Sequence, residues 1–273
     1  MRIEKAMLVF RKDFIEISRN KEVLLPMLIL PLIFAVLFPA LTSVDPDNIN
    51  TGGNTEAIVE TMLANLPENV QMVIRAFTPT QQATYMMLVY FFSPFFLIIP
   101  VMGSSVIAAD SFAGEKERNT LEALLATPLT DSELLLGKIL VSFIPGMGVT
   151  FLSFILYITT IDLLTVESFG RYIMPTVPWI VLVLVLAPVL ALLAIGVTVI
   201  VSSRVKGFRE AQQLSALLVI PILGLLFGQA SGYLTLGSLV MIALSLGIAV
   251  VDLIIFSFGL RLFQRESILS KAR

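Results

Sequence analysis

Apolar and polar positions fall in long blocks along this chain, and six apolar blocks approach or exceed the roughly 20 residues that a helix needs to cross a bilayer core. They cover residues 23–42, 85–109, 134–161, 176–201, 214–232 and 238–260. Ahead of the first, Ile3, Met7, Phe10, Phe14 and Ile17 recur at helical spacing among Arg2, Lys5, Arg11, Lys12, Arg19 and Lys21, which predicts a basic amphipathic helix over 1–22. The block 23–42 ends without a small-x-small cleavage pattern, so it reads as a span and not as a cleaved signal. Residues 43–83 are acidic, yet Ile58, Met62, Leu66, Val70, Val73, Ile74 and Phe77 predict two short helices broken near Pro67, a small cap resting on the membrane.

The polar block 110–138 has the richest pattern. Asn119 followed by Glu122 reads as a capped helix start, with Leu121, Leu124 and Leu125 on one face and Pro128 as its end. Thr130 with Glu133 repeats the capping pattern just before the next apolar block. A passive connector needs neither caps nor an apolar face, whereas a short surface helix with one free face is suited to docking in a groove of another protein.

Composition turns these blocks into a fold class. Of 273 residues, 57% are hydrophobic and 14% charged, with a mean hydropathy of +0.93, which excludes an ordinary soluble domain and predicts an all-α polytopic membrane protein of six spans. Cysteine and histidine are both absent, which removes thiol and imidazole catalysis and Cys/His zinc sites. Placing both termini in the cytoplasm puts sixteen of the eighteen Lys and Arg inside and leaves Arg75 and Arg171 outside, a strong positive-inside bias. The expected layout is a cytoplasmic helix over 1–22, a membrane domain over 23–260 with an external segment 43–83 and a cytoplasmic segment 110–138, and a cytoplasmic tail over 261–273.

Candidate chemistry is sparse. No phosphate loop occurs, since Gly137 and Lys138 are followed by Ile139 and Ser132 stands where the first glycine belongs, so any ATP must sit on another chain. Within the predicted spans the clear charge is Asp252, readable either as a functional carboxylate or as one that snorkels or pairs with a helix-end cation. Gly224, Gly228 and Gly232 form a row on one face of the fifth block, where another helix of the same bundle or of a second copy could approach closely. Prolines 26, 31, 39, 94, 100, 145, 178, 188 and 221 place potential kinks in every span but the last.

The wording of residues 114–138, G-E-K-E-R-N-T-L-E-A-L-L-A-T-P-L-T with L-L-G-K following, resembles the cytoplasmic loop of type 2 ATP-binding-cassette (ABC) exporter permeases, especially the sodium-extruding NatB-like group. The resemblance covers about thirty residues and matches Gly114, Glu115, Glu117, Arg118, Thr120, Leu121, Glu122, Leu125, Thr127 and Pro128; Asn119 stands where glycine or lysine is more usual. It implies two permease chains, here a homodimer, and two cytoplasmic ATPase chains that hold the ATP and magnesium. It also implies a coupling helix at Gly114 to Pro128, including Leu124, and spans two and five near the pathway. This chain itself would need no cofactor, bind no nucleic acid and reside in a prokaryotic plasma membrane. Two other classes fit the composition: a secondary transporter using Asp252, and a non-transporting scaffold. The cargo stays open among lipids, drugs, peptides and ions.

Overall fold

The computed structural model describes residues 3–44, 55–120, 127, 129–231 and 234–262, which contain helices and no strand. Helix α1 (Ile3–Ile17) comes first. Six helices then have the length and apolarity to cross a membrane: Lys21–Thr42, Pro79–Glu117, Asp131–Phe169, Val177–Ser202, Phe208–Ala230 and Ser238–Ser257, called spans one to six below. Between spans one and two, α2 (Thr55–Ala64) and α3 (Glu68–Arg75) flank Pro67, as the periodicity predicted.

Spans two and three differ from expectation. Each runs for 39 residues, which at 1.5 Å per residue is about 58 Å, nearly twice a bilayer core of about 30 Å. Most of the polar block 110–138 is therefore helix and not loop: Asp110–Glu117 continues span two, and Asp131 onward opens span three. The start of span three is the one anticipated. Thr130 accepts from the Glu133 N–H while the Glu133 carboxylate accepts from the Thr130 N–H, closing a capping box.

Span two is central, with 78% of its apolar window buried against 17% for spans five and six. Helices approach closely where glycine allows it: a Cβ on Gly146 of span three would lie 3.1 Å from the Ser104 backbone nitrogen on span two, and one on Gly196 of span four would lie 2.6 Å from the Ile255 side chain on span six. The anticipated glycine row behaves otherwise. Gly224 faces open space, a Cβ on Gly228 would make only an ordinary 3.6 Å contact with Leu234, and Gly232 lies outside the described residues, so within the described chain no helix closes on the row.

Three spans carry π-helical turns close to prolines: Ile33–Leu37 between Pro31 and Pro39, Met86–Phe91 before Pro94, and Leu182–Leu186 before Pro188. Proline lacks the N–H that the ladder needs, so the hydrogen bonding slips to a wider turn. The turn at Asp110–Gly114 has no proline near it, and it lies in the junction described next.

Candidate functional site

At one end of the bundle α1, the end of span two, the start of span three and the loop between spans four and five converge. Close approach of α1 to span three is set by Gly137, where a Cβ would come within 2.7 Å of the Ala6 carbonyl and of Val9 Cβ. This packing brings Lys12 and Asp13 over the π turn Asp110–Gly114, whose residues are all buried.

A buried ionic cluster fills the junction. Lys138, fully buried, lies 2.5 Å from Glu115 Oε2 and 3.6 Å from Asp13 Oδ2 and also donates to the Ser111 carbonyl and hydroxyl. Lys12 reaches the other Glu115 oxygen at 2.5 Å, Asp13 at 3.0 Å and Glu16 at 3.7 Å. Arg118 bridges Asp110 and Glu16 at 3.0 Å each, and Asn20 donates to the same Asp110 oxygen. Charges this deep persist only when each has a partner, because desolvation must be repaid by close opposite charge. Apolar side chains seal the cluster: Val9, Phe112, Leu134 and Leu135 on one side, Ile17, Val106, Val141 and Phe208 on another.

The electrostatics follow from these distances. Burial alone would lower the Lys12 pKa, but Glu115 and Asp13 outweigh it and hold the ammonium above the ordinary lysine value. Arg118 shifts upward in the same way, burial being overcome by Asp110, Glu16 and Glu115. Oxygens of Asp13, Glu16 and Glu115 lie within 4.8 Å of one another, a spacing that could hold a cation. Lys12 contacts all three, so its ammonium already supplies that positive charge.

The remaining charges of the G-E-K-E-R stretch bind the loop between spans four and five. Glu117 Oε2 accepts from the Phe208 N–H at 2.9 Å, capping the helix of span five from another element, and Lys116 donates to the Val205 carbonyl at 2.8 Å. Gly207 leaves room for that bond, since a Cβ would lie 2.5 Å from the Glu117 oxygen and push the carboxylate off the Phe208 N–H. A Cβ on Gly114 would likewise crowd Asp110 Oδ1 at 2.8 Å.

Asn119 closes a helix instead of opening one. Its φ of 57° is left-handed, the Thr120 N–H bonds the Glu115 carbonyl, and the Asn119 N–H bonds the Lys116 carbonyl. This is a helix C-terminal motif that glycine or asparagine fills, and an N-cap residue does not adopt it. Thr120 adds a hydroxyl bond to the Glu115 carbonyl. Leu121, Glu122, Leu124, Leu125 and Pro128 lie outside the described residues, and Thr127 is half-buried.

Asp252 is buried on span six with one oxygen lacking a hydrogen-bond partner, and among the described residues no cation pairs with it. Nor is it the sole charge within the spans. Lys138 lies in span three, as does Asp162, whose carboxylate accepts from the Ile173 and Met174 N–H groups and fixes the turn beyond that span. Sequence reasoning missed these burials; the recurrence of acid and base in G-E-K-E-R and L-L-G-K was the available signal.

Comparison with known proteins agrees with this architecture. A family profile described as ABC-2 family transporter protein matches residues 7–241, which include most of α1, the junction and the first five spans. The chain is also 32% identical over 133 residues to the ABC transporter permease protein NatB of Bacillus subtilis (strain 168), covering 46% of this chain and 34% of that relative. The chain thus matches about a third of the length of the curated relative. With six apolar helices and a family match over most of its length, this multi-pass membrane protein belongs to the ABC-2 family of transporters.

Proposed function

We propose that the chain is the permease subunit of an ATP-binding-cassette exporter, moving cargo outward with ATP and magnesium held on a separate cytoplasmic chain. The observation that carries this reading is the ionic junction. It joins spans two and three, α1 and the loop to span five into one block that contains residues 114–118, the start of the 114–128 segment assigned to coupling. A push on that segment passes into the bilayer as rigid-body motion, because Lys138 ties span three to Glu115 of span two through a buried ion pair and Arg118 ties the end of span two to Glu16 of α1. The name of the similar NatB permease supports the assignment.

The proposed orientation places α1 and both termini in the cytoplasm, in accord with the sixteen-to-two distribution of cations. Two copies would pair through spans left open, with the unoccupied face of Gly224 on span five available to a second chain. The deciding experiment is purification of the chain from its native membrane: a nucleotide-hydrolysing chain should accompany it. Replacing Thr127 and Pro128 by glycines should leave that chain bound while its ATP hydrolysis no longer drives transport. Purification without such a partner would refute the reading.

Asp252 favours a second reading, transport coupled to an ion, because its carboxylate is buried with an unpartnered oxygen. Asp252→Asn separates the two: unchanged ATP-driven transport removes ion coupling through this residue.

A further inference from the structure

Pro94 cannot supply the N–H that would close on the Tyr90 carbonyl four residues earlier, and the π turn Met86–Phe91 displaces the carbonyls around it. Three successive carbonyls of this break are taken by side chains from three other spans. Tyr157 O–H donates to Leu88 at 2.5 Å, Trp179 Nε1 to Val89 at 2.7 Å, and Gln229 Nε2 to Tyr90 at 2.5 Å. The first two donors are fixed by packing: the Tyr157 and Trp179 rings stack 4.5 Å apart and Phe96 and Phe154 pack against Trp179.

Gln229 is held differently. It stands next to the end of span five, only 17% of whose apolar window is buried, and its fully buried side chain leaves Oε1 without a partner. The Tyr90 carbonyl also accepts from Ser93 Oγ at 2.7 Å, so it stays satisfied if Gln229 withdraws. Beyond Gln229 the chain is tied to the external helices, Thr235 Oγ1 donating to the Asn65 carbonyl. Span five is thus joined to the break by a neutral bond that can be broken without stranding a charge or orphaning the backbone acceptor.

We propose that Gln229 is a positioning residue for transport: a latch that holds the outer end of span five on the break in span two and releases when the pathway opens to that side. This deepens the permease reading and rests on it. The chain has no cysteine, so Val89→Cys gives a single thiol at a site that is 1% exposed, one residue from Tyr90, and leaves the Ser93 hydroxyl in place. In intact cells an impermeant maleimide should modify it slowly in the Gln229 background and about tenfold faster with Gln229→Met, the scale of one lost buried hydrogen bond. Gln229→His, whose Nε2–H reaches about as far as the amide, should restore protection, which a role in packing alone would not predict. Should the methionine variant fail to reach the membrane, Gln229→Asn, with its amide one methylene short, should show the same acceleration. Equal rates in the parent and the methionine or asparagine variant, or a histidine variant as reactive as methionine, would overturn the latch. Copurification of the nucleotide-hydrolysing chain with the parent tests the permease reading separately, since its loss would sink that reading without altering the labelling rates.

Discussion

Span two is broken by a π turn at each end, and the two breaks are held by opposite chemistry. At Asp110–Gly114 and the residues that follow, buried carboxylates are held by full charges, Glu115 by the buried Lys138 and the half-exposed Lys12, and Asp110 by Arg118. At Met86–Phe91 they supply neutral donors, Tyr157, Trp179 and Gln229 on backbone carbonyls. Pulling a partner from the first leaves a charge in an apolar seal; pulling Gln229 from the second leaves Tyr90 still paired with Ser93. One end is thus suited to moving as a unit, the other to parting.

The largest effect that would sharpen this contrast is at Lys138. Lys138→Met removes the cluster's fully buried cation and leaves the buried Glu115 and Asp13 with only the half-exposed Lys12, and we expect a loss approaching about 3–5 kcal/mol of stability, read as a lower unfolding temperature of the purified chain. Lys138→Met combined with Glu115→Gln should recover part of it. A single variant as stable as the parent would break the comparison.

Next is the link to span five. Gly207→Ala sets a Cβ against the Glu117 oxygen and should cost about 1–2 kcal/mol, the scale of a lost helix cap. Glu117→Gln, which keeps an acceptor for the Phe208 N–H, should cost less in the same assay.

A pH series tests the half-exposed side of the cluster. The folded Lys12 pKa is raised above its unfolded value, so its contribution is fully present below the unfolded value of 10.5 and is lost only as pH climbs through the higher folded value. Stability attributable to Lys12, measured against Lys12→Met, should therefore stay constant from neutral to about pH 9. A decline within that window would mean that the pair with Glu115 does not hold.

The smallest effect belongs to Arg209, whose 3.6 Å pair with Glu22 is exposed at 82% and 63%. Arg209→Ala should change stability by less than about 0.5 kcal/mol in the same assay, as exposed pairs do. A loss on the scale of Lys138→Met would show that burial does not set the ranking.

Much of the fold was legible because it is local. Hydropathy gave six spans, Thr130 with Glu133 gave a helix start, and Pro67 gave the break between α2 and α3. The junction was not legible, because charged residues ordinarily report solvent and their pairing here is set by contacts far apart in sequence. Glu115 meets Lys138, 23 residues away, and Lys12, 103 residues away. Asn119 misled for a related reason: asparagine serves both as N-cap and in the left-handed C-terminal position, and only the backbone distinguishes them. The glycine row on span five was visible, but the glycines that set helix approach within the chain are Gly137, Gly146 and Gly196, isolated in sequence. Gln229 carried no pattern, since its partner is a carbonyl freed by a proline on another span.

We propose that the charged junction moves as one body while the seam at Gln229, the outer one in the proposed orientation, parts, and distances between paired spin labels test this directly in this cysteine-free chain. One pair, Leu8→Cys with Ser132→Cys, reports α1 against the start of span three; the other, Thr80→Cys with Ser231→Cys, reports span two against the outer end of span five. Labelled chain diluted with unlabelled chain would be measured with the proposed ATPase partner, without nucleotide and with ATP trapped. The account predicts a narrow distribution for the first pair that does not change and a longer distance for the second when ATP is trapped. A junction distance that shifts while the outer distance stays fixed would contradict it.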